Sequence, residues 1–231
     1  STTAQAGDEP VLIARRCGCP VVVAPRRADA VRLLEQSGEV DIVITDDGLQ
    51  HYALARDIEL VVVDGARRFG NGCLLPMGPL REPMTRLKRV DAIICNGGTP
   101  AQGEYPMALV AAAPHRVCDD APLEAPLTGP VDALAGIGHP PRFFATLTGL
   151  GYELAERVGY ADHQAFDRDE LLARFGARPL LMTEKDAVKC RAFAPPHWWY
   201  LPVSAELPAA LLDTLLQRLT PLQAPGPDHA H

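Results

Sequence analysis

Short apolar runs rich in valine and isoleucine recur in the first half of the chain. They are residues 21–24, 41–45, 58–63 and 92–95, each bordered by Pro or Asp. Such near-continuous runs are typical of strands buried on both faces of a parallel sheet. Residues 28–36 have the apolar spacing of an amphipathic helix that ends near Gly38. Strand, helix and strand in succession predict a βαβ unit and therefore an α/β fold.

A proline-rich stretch predicts a division of the chain into two lobes. Beyond it the α/β pattern resumes, with predicted strands at residues 131–135 and 179–183. The predicted domains are a first lobe at residues 1–112, a linker at 113–130, a smaller second lobe at 131–220 and a flexible tail at 221–231.

Composition and charge argue against several classes of protein. A net charge of −7, from 22 Lys and Arg against 29 Asp and Glu, is unlike a duplex nucleic-acid binder, and no nucleic-acid partner is expected. The sequence contains no run of eighteen apolar residues, so no membrane-spanning helix is predicted. The six cysteines include one close pair, Cys17 and Cys19, without a second pair at zinc spacing. This pattern favours a reducing compartment and no structural metal.

Two adjacent carboxylates, Asp46 and Asp47, follow the apolar run at residues 41–45. An acidic group at the carboxyl end of a parallel strand lies where open α/β folds bind ligands. In nucleotide-handling enzymes such a group holds Mg²⁺ beside the phosphates. The alternative is a strand that runs into an Asp-Gly turn with no catalytic role.

A loop rich in glycine and proline, residues 71–82, ends in the adjacent pair Arg81 and Glu82. Its composition fixes a non-helical path, and the pair could place a phosphate clamp next to a metal ligand. The alternative is a rigid loop whose charged side chains are only solvated.

Two further candidates are Asp8, in the turn at residues 6–10, and His163, which follows Asp162. By default the turn predicts a helix N-terminus with Asp8 as the N-cap. A carboxylate there could also act as a general base toward a hydroxyl. A lone histidine in a loop is more often structural or solvated than catalytic.

Two catalytic motifs are missing from the sequence. None of the three lysines follows a glycine, so no Gly-x-x-x-x-Gly-Lys-Ser/Thr phosphate loop occurs in this chain. No Gly-x-Ser-x-Gly motif occurs either, which argues against a serine hydrolase.

Taken in order, these segments resemble the tetraacyldisaccharide 4′-kinase family, the lipid A 4′-kinases of Gram-negative bacteria. The resemblance extends from about residue 2 to residue 203, which is most of the chain. It rests on residues 4–10, 45–52, 56–57, 64, 68–71, 78–82, 136–144, 161–163 and 183–189.

The resemblance implies a variant P-loop kinase of two α/β/α lobes with mainly parallel sheets. The implied reaction transfers phosphate from ATP, with Mg²⁺, to the 4′-hydroxyl of a tetraacylated glucosamine disaccharide 1-phosphate, a step of lipid A biosynthesis. The implied location is the cytoplasmic face of the bacterial inner membrane, whose surface is a second partner. Family members carry an anchoring helix and a phosphate loop ahead of residues 4–10. We therefore expect an N-terminally truncated chain, inactive alone, that lacks the first strand and phosphate loop; oligomeric state stays open.

Site roles follow from the resemblance, position by position. Asp8 matches the base that accepts the proton of the sugar hydroxyl, and His163 matches the histidine paired with it. The matches to the magnesium site are Asp46 and Asp47, with Glu82 as a third contact. The matches to residues near the transferred or substrate phosphate are Arg81, Gln50, His51 and Asn71.

A second hypothesis is a binding module that holds a lipid or nucleotide without chemistry. It rests on the missing phosphate loop. A weaker third option is a partitioning-type ATPase related only through the acidic strand. The combination of residues 78–82 with Asp162 and His163 argues against it, because it resembles the lipid kinase specifically.

Overall fold

The computed structural model describes residues 3–220 and divides into two compact units. The first unit joins Ser1–Val43 to Ala111–Val203, and the second joins Ile44–Val110 to Ser204–His231. The helices are α1 Thr3–Ala6, α2 Asp8–Cys17, α3 Arg27–Ser37, α4 Pro140–Gly149, α5 Arg168–Arg174, α6 Glu184–Cys190 and α7 Ala209–Leu219, with a 3₁₀ helix at Met84–Arg89. The strands are β1 Leu60–Asp64, β2 Ala92–Asn96, β3 Glu104–Ala111, β4 His115–Arg116, β5 Val131–Ala135, β6 Leu154–Gly159, β7 Leu180–Thr183, β8 Trp198–Leu201 and β9 Val203–Glu206.

The first unit is built on a five-stranded sheet in the order β4-β8-β7-β5-β6. Strand β5 is parallel to β6 and β7, β7 is parallel to β8, and only the short edge strand β4 is antiparallel. Successive side chains of a strand alternate between the faces of a sheet. Accordingly Leu134 packs with α5 and α6 residues on one face, whereas Ala133 packs with Phe143 and Leu147 of α4 on the other.

The second unit contains a four-stranded sheet in the order β1-β2-β3-β9. Strands β1, β2 and β3 are parallel to one another. Its core is small: Leu211 of α7 is fully buried against Ala92 and Ile94 of β2 and the partly buried Tyr105. The acidic turn at residues 46–47 and the loop at 71–82 belong to this unit.

The predicted α/β class with mainly parallel sheets is confirmed. The helix predicted at residues 28–36 is α3, which ends at Ser37 with Gly38 as its C-cap. The strands predicted at 58–63, 92–95, 131–135 and 179–183 are β1, β2, β5 and β7.

Two predicted strands, at residues 21–24 and 41–45, are wrong. Neither segment pairs with a strand among the described residues. A strand is defined by ladder hydrogen bonds to a neighbour, and an apolar run alone does not supply that neighbour. Consistent with the missing ladder, Val23, Ile42 and Ile44 are exposed, Ile44 to 91%.

Residues 113–130 differ from a simple linker. Val117 is fully buried, and β4 in the same stretch pairs with β8. The stretch therefore packs within the first unit, because its apolar side chains find partners in the five-stranded sheet. The compact units are each formed from two separate stretches of sequence. The predicted lobes at residues 1–112 and 131–220 stay a prediction. The predicted tail, 221–231, lies outside the described residues.

Within residues 3–220, the helices are all too short or too polar to cross a bilayer.

Candidate catalytic site

Asp8 is the first residue of α2, directly after Gly7. The prediction that Asp8 is the N-cap is off by one position, because Gly7 occupies the cap and makes no side-chain cap bond. Gly7 has a φ of +89°, a conformation that glycine adopts without strain. Asp8 is buried, with 7% of its surface exposed.

His163 lies in the loop after β6 and meets Asp8. Its Nδ1 is 3.1 Å from Oδ1 of Asp8. An ionised carboxylate only accepts hydrogen bonds, so Nδ1 carries the proton in this contact. The residue adopts a left-handed φ of +59°, and its amide donates to Oδ1 of Asp162. The imidazole is 58% exposed, so it connects the buried carboxylate to solvent.

Two lysines of α6, which the sequence analysis did not single out, face the other oxygen of Asp8. Nζ of Lys189 is 3.5 Å from Oδ2, and Nζ of Lys185 is 3.9 Å from it. Lys185 also donates to Glu9 at 2.8 Å and to Asp162 at 2.9 Å. The signal that could have found them is spacing: two of the three lysines in the chain stand at i and i+4, on one face of a helix.

The surroundings of Asp8 keep it ionised. Burial alone would raise the pKa of its carboxyl group, but the His163 hydrogen bond, a backbone hydrogen bond and the charges of Lys185 and Lys189 outweigh burial and lower it. Oδ2 is buried and makes no hydrogen bond among residues 3–220. A buried acceptor without a donor is costly, so this oxygen is an open acceptor position beside two ammonium groups.

Asp186 contacts Lys189 and holds it through Oδ1 at 3.2 Å. It is completely buried, and its Oδ2 accepts from the Gly136 amide at 2.8 Å and from the Thr183 hydroxyl at 2.6 Å. Thr183 in turn caps α6 by accepting from the Asp186 amide. A Cβ at Gly136 would lie 2.8 Å from Oδ1 of Asp186, so only glycine allows this close approach.

The second unit places Asp47, Gln50 and Arg81 next to one another. Nη1 of Arg81 is 3.4 Å from Oδ2 of Asp47 and 3.4 Å from Oε1 of Gln50. Asp47 is mostly exposed and has a left-handed φ of +46°. Gln50 also donates to Glu82 at 2.7 Å. The four residues form a hydrogen-bonded chain of polar groups at the surface of this unit.

Asn71 shapes the loop that carries Arg81 and Glu82. Its side-chain amide donates to the Met77 carbonyl at 2.9 Å and accepts from the Cys73 amide at 3.1 Å. The contacts of Asn71 are therefore within its own loop. His51 lies in the turn after Gly48, and its amide donates to the Gly48 carbonyl. No described side-chain contact brings His51 to the Arg81 group.

Of the three carboxylates matched to the magnesium site, two fit the implied Mg²⁺ and one fits less well. Mg²⁺ is usually held by one or two carboxylates and completes its shell with water and phosphate oxygens, which Asp46 and Asp47 could satisfy. Glu82 is less suited, because its oxygens already accept hydrogen bonds from Tyr52 and Gln50 and pair with Arg86 at 3.4 Å. Across the described part of the chain, no three His, Cys, Asp or Glu side chains converge as a metal site.

Comparison with a solved structure identifies the fold. The structure resembles a crystal structure of LpxK from Aquifex aeolicus in complex with ATP, with a TM-score of 0.72. The match covers 94% of this chain and 70% of that one at 23% identity, so it shows a shared α/β fold.

The family follows from sequence similarity. A family model described as "Tetraacyldisaccharide-1-P 4'-kinase" matches residues 1–220. Proteins named tetraacyldisaccharide 4′-kinase from Aeromonas hydrophila, Aeromonas salmonicida and Tolumonas auensis are 84%, 82% and 57% identical over 95%, 97% and 96% of this chain. The chain spans 66%, 68% and 68% of their respective lengths. The chain belongs to the tetraacyldisaccharide-1-P 4′-kinase family.

Proposed function

We propose that this chain forms part of a kinase that transfers phosphate from ATP to the 4′-hydroxyl of a tetraacylated glucosamine disaccharide 1-phosphate. Family membership supports the substrate class. The observation that carries the proposal is the state of Asp8: a buried, ionised carboxylate with one oxygen on His163 and the other without a hydrogen bond. That open acceptor is the group that a substrate hydroxyl needs.

The chemistry at Asp8 follows from the charge it carries. The sugar hydroxyl would donate to Asp8. Its O–H bond would break as its oxygen bonds to the γ-phosphorus of ATP and the bond from that phosphorus to the β-phosphate oxygen breaks, so that ADP leaves and the proton stays on the Asp8 carboxylate. Phosphoryl transfer through a loose transition state needs alignment and charge neutralisation more than a strong base. A carboxylate of lowered pKa is therefore sufficient.

The acidic turn would hold the magnesium ion, with Asp46 and Asp47 as ligands. When bound, Mg²⁺ would neutralise charge on the phosphate oxygens. Arg81 would contact the transferred or substrate phosphate, because a guanidinium matches two phosphate oxygens. Gln50 would hold Arg81 in place, and Asn71 would hold the loop that carries it. His51 has no role in this proposal, because its described contact is a backbone hydrogen bond to Gly48.

The nucleotide-phosphate loop is the part that these residues do not supply, since no Gly-x-x-x-x-Gly-Lys-Ser/Thr sequence occurs among them. Our proposal therefore includes two further points. Transfer of phosphate from ATP needs such a loop, and these 231 residues by themselves are inactive. The proposal also includes action at the cytoplasmic face of the inner membrane, where exposed arginines such as Arg67 would meet anionic head groups.

One observation favours a second candidate, a module that binds lipid or nucleotide without catalysis. It is the same missing phosphate loop. The two candidates differ in a single measurable property, which is whether phosphate is transferred.

The test uses the protein expressed from its own gene, with all coding sequence contiguous with these residues. The protein is incubated with γ-labelled ATP, Mg²⁺ and the tetraacylated disaccharide 1-phosphate, and NMR locates any phosphate that is added. Labelled product with the phosphate at the 4′ position supports the kinase. Tight lipid or nucleotide binding without transfer would favour the binding module instead.

A further inference from the structure

Lys189 of α6 contacts Asp8 and the loop that carries His163. Its Nζ lies 3.5 Å from Oδ2 of Asp8. The same ammonium group lies 3.5 Å from the Gln164 carbonyl and 4.7 Å from the centroid of the Phe166 ring. Gln164 and Phe166 belong to the loop that carries His163, so one cation contacts the carboxylate and the loop of its partner.

The ammonium group is held in place by a buried anion. Oδ1 of Asp186 is 3.2 Å from Nζ of Lys189, while Oδ2 of Asp186 is held by Gly136 and Thr183. The Lys189 side chain is only 10% exposed. Ion pairs that are shielded from water are screened less than surface pairs, and a fixed anion restricts where the lysine can point.

Lys185 differs from Lys189 in how it is held. It is shared with Glu9 and Asp162, at 2.8 and 2.9 Å, which are closer than its 3.9 Å approach to Asp8. Glu9 and Asp162 are about half exposed, so the anchor of Lys185 is at the surface. Only Lys189 combines a buried anchor with contacts to the loop of His163.

We propose that Lys189 is a positioning residue for phosphoryl transfer: anchored on Asp186, it holds Asp8 ionised and holds the His163 loop against it. The inference deepens the proposed function and rests on the role of Asp8 as the base. It assigns to α6 a part in the reaction beyond packing, and it explains why a lysine is buried beside a carboxylate that makes no hydrogen bond to it.

The charges that face Asp8 set the direction of the expected effect. From α6 they are Lys185 and Lys189, from the loop after β6 they are His163 and Asp162, and from α2 it is Glu9, with buried Asp186 behind Lys189. Removing the Lys189 cation leaves Asp8 with fewer positive neighbours, so its pKa rises. A nearby opposite charge typically changes a carboxyl pKa by about one unit or more.

The experiment compares Lys189→Met and Lys189→Arg in the protein expressed from its own gene. The pH profile of kcat and the ¹³C NMR titration of the Asp8 carboxyl carbon are measured, with Asp8→Asn as the assignment standard. For Lys189→Met we expect the acid limb of the pH profile, the range in which kcat falls as Asp8 is protonated, to move up by about one pH unit. The Asp8 titration should move by the same amount, and kcat should fall about tenfold or more. Lys189→Arg retains the cation and is expected to restore the limb.

Arg191→Met is the matched control, because Arg191 caps α6 and forms an ion pair with Asp120 at 2.5 Å but does not face Asp8. It is expected to lower stability without moving the acid limb. If Lys189→Met does not fold, Lys189→Gln, whose amide can still donate to Asp186, gives the same comparison.

A fall in kcat with an unmoved limb and an unmoved Asp8 titration would overturn the inference and make Lys189 merely structural. The proposed function has a separate test. If Asp8→Asn retains full activity, Asp8 is not the base, whereas the NMR titration of Asp8 still reports on Lys189.

Discussion

Nδ1 of His163 lies 3.1 Å from Oδ1 of Asp8, although 155 positions separate the two residues in the sequence. The contact joins the start of α2 to the loop after β6 within the same compact unit. Because Asp8 is buried and His163 is exposed, the pair joins a shielded carboxylate to an imidazole at the surface. This arrangement is the physical basis of the proposed base role.

Replacing His163 removes the imidazole that contacts Asp8 while keeping the local backbone conformation. His163→Asn keeps a residue that tolerates a left-handed φ, and the side chain it replaces is 58% exposed. We expect kcat to fall about a hundredfold or more, and the free energy of unfolding to fall by about 1–3 kcal/mol because Oδ1 of buried Asp8 loses its donor. His163→Ala should show the same kinetic defect with an added loss of about 1 kcal/mol, because alanine disfavours that backbone conformation. A wild-type kcat in His163→Asn would exclude a catalytic contact.

Asp186 is expected to be the most sensitive polar position of the first unit. Asp186→Ala would leave the Gly136 amide and the Thr183 hydroxyl without acceptors and Lys189 without its anchor. The expected loss in free energy of unfolding is about 3–5 kcal/mol, measured by urea denaturation. Replacement of the exposed Glu153 by alanine is the control, with an expected change of about 0.5 kcal/mol or less. Equal losses at the two positions would contradict the buried network.

Gly78 closes the loop that carries Arg81 and Glu82. A Cβ there would lie 2.2 Å from Oδ1 of Asn71 and 2.3 Å from the Cys73 carbonyl, and the carbonyl belongs to the backbone. Gly78→Ala should therefore open the loop, lower the free energy of unfolding by about 1–3 kcal/mol, and raise KM for the lipid substrate.

Gly149→Ala is the matched control for that substitution. A Cβ at Gly149 would meet nothing within 4 Å, and the residue ends helix α4. We expect unchanged or slightly raised stability, by up to about 1 kcal/mol, and an unchanged KM. Should Gly78→Ala behave like Gly149→Ala, the loop would not depend on the Asn71 contacts.

Continuous apolar runs predicted strands β5 and β7 correctly, whereas strands with interrupted apolar patterns were not predicted. Strands β5 and β7 are short apolar runs, and both are buried along their whole length. Strand β6 was missed because Glu156 and Arg157 interrupt it, although it pairs with β5. Strand β3 contains Pro106, which argues against a strand when the sequence alone is considered.

The candidate site was predictable only in part. A family resemblance pointed to Asp8 and His163, but neither turn nor loop composition indicates that residues 155 positions apart meet. The two lysines were missed because each is an ordinary helix residue by itself, and only their common face on α6 gives a signal. Strands at residues 21–24 and 41–45 were predicted wrongly because a single sequence does not reveal which strand supplies the ladder.

The most direct test of the central claim is the rate of 4′-phosphorylation by Asp8→Asn in the protein expressed from its own gene. Asparagine has nearly the same shape as aspartate but cannot accept the hydroxyl proton, so the expected result is a fall in kcat of about 10²–10⁴-fold with the protein still folded. A folded Asp8→Asn protein that phosphorylates the lipid at the wild-type rate would contradict the assignment of Asp8 as the base.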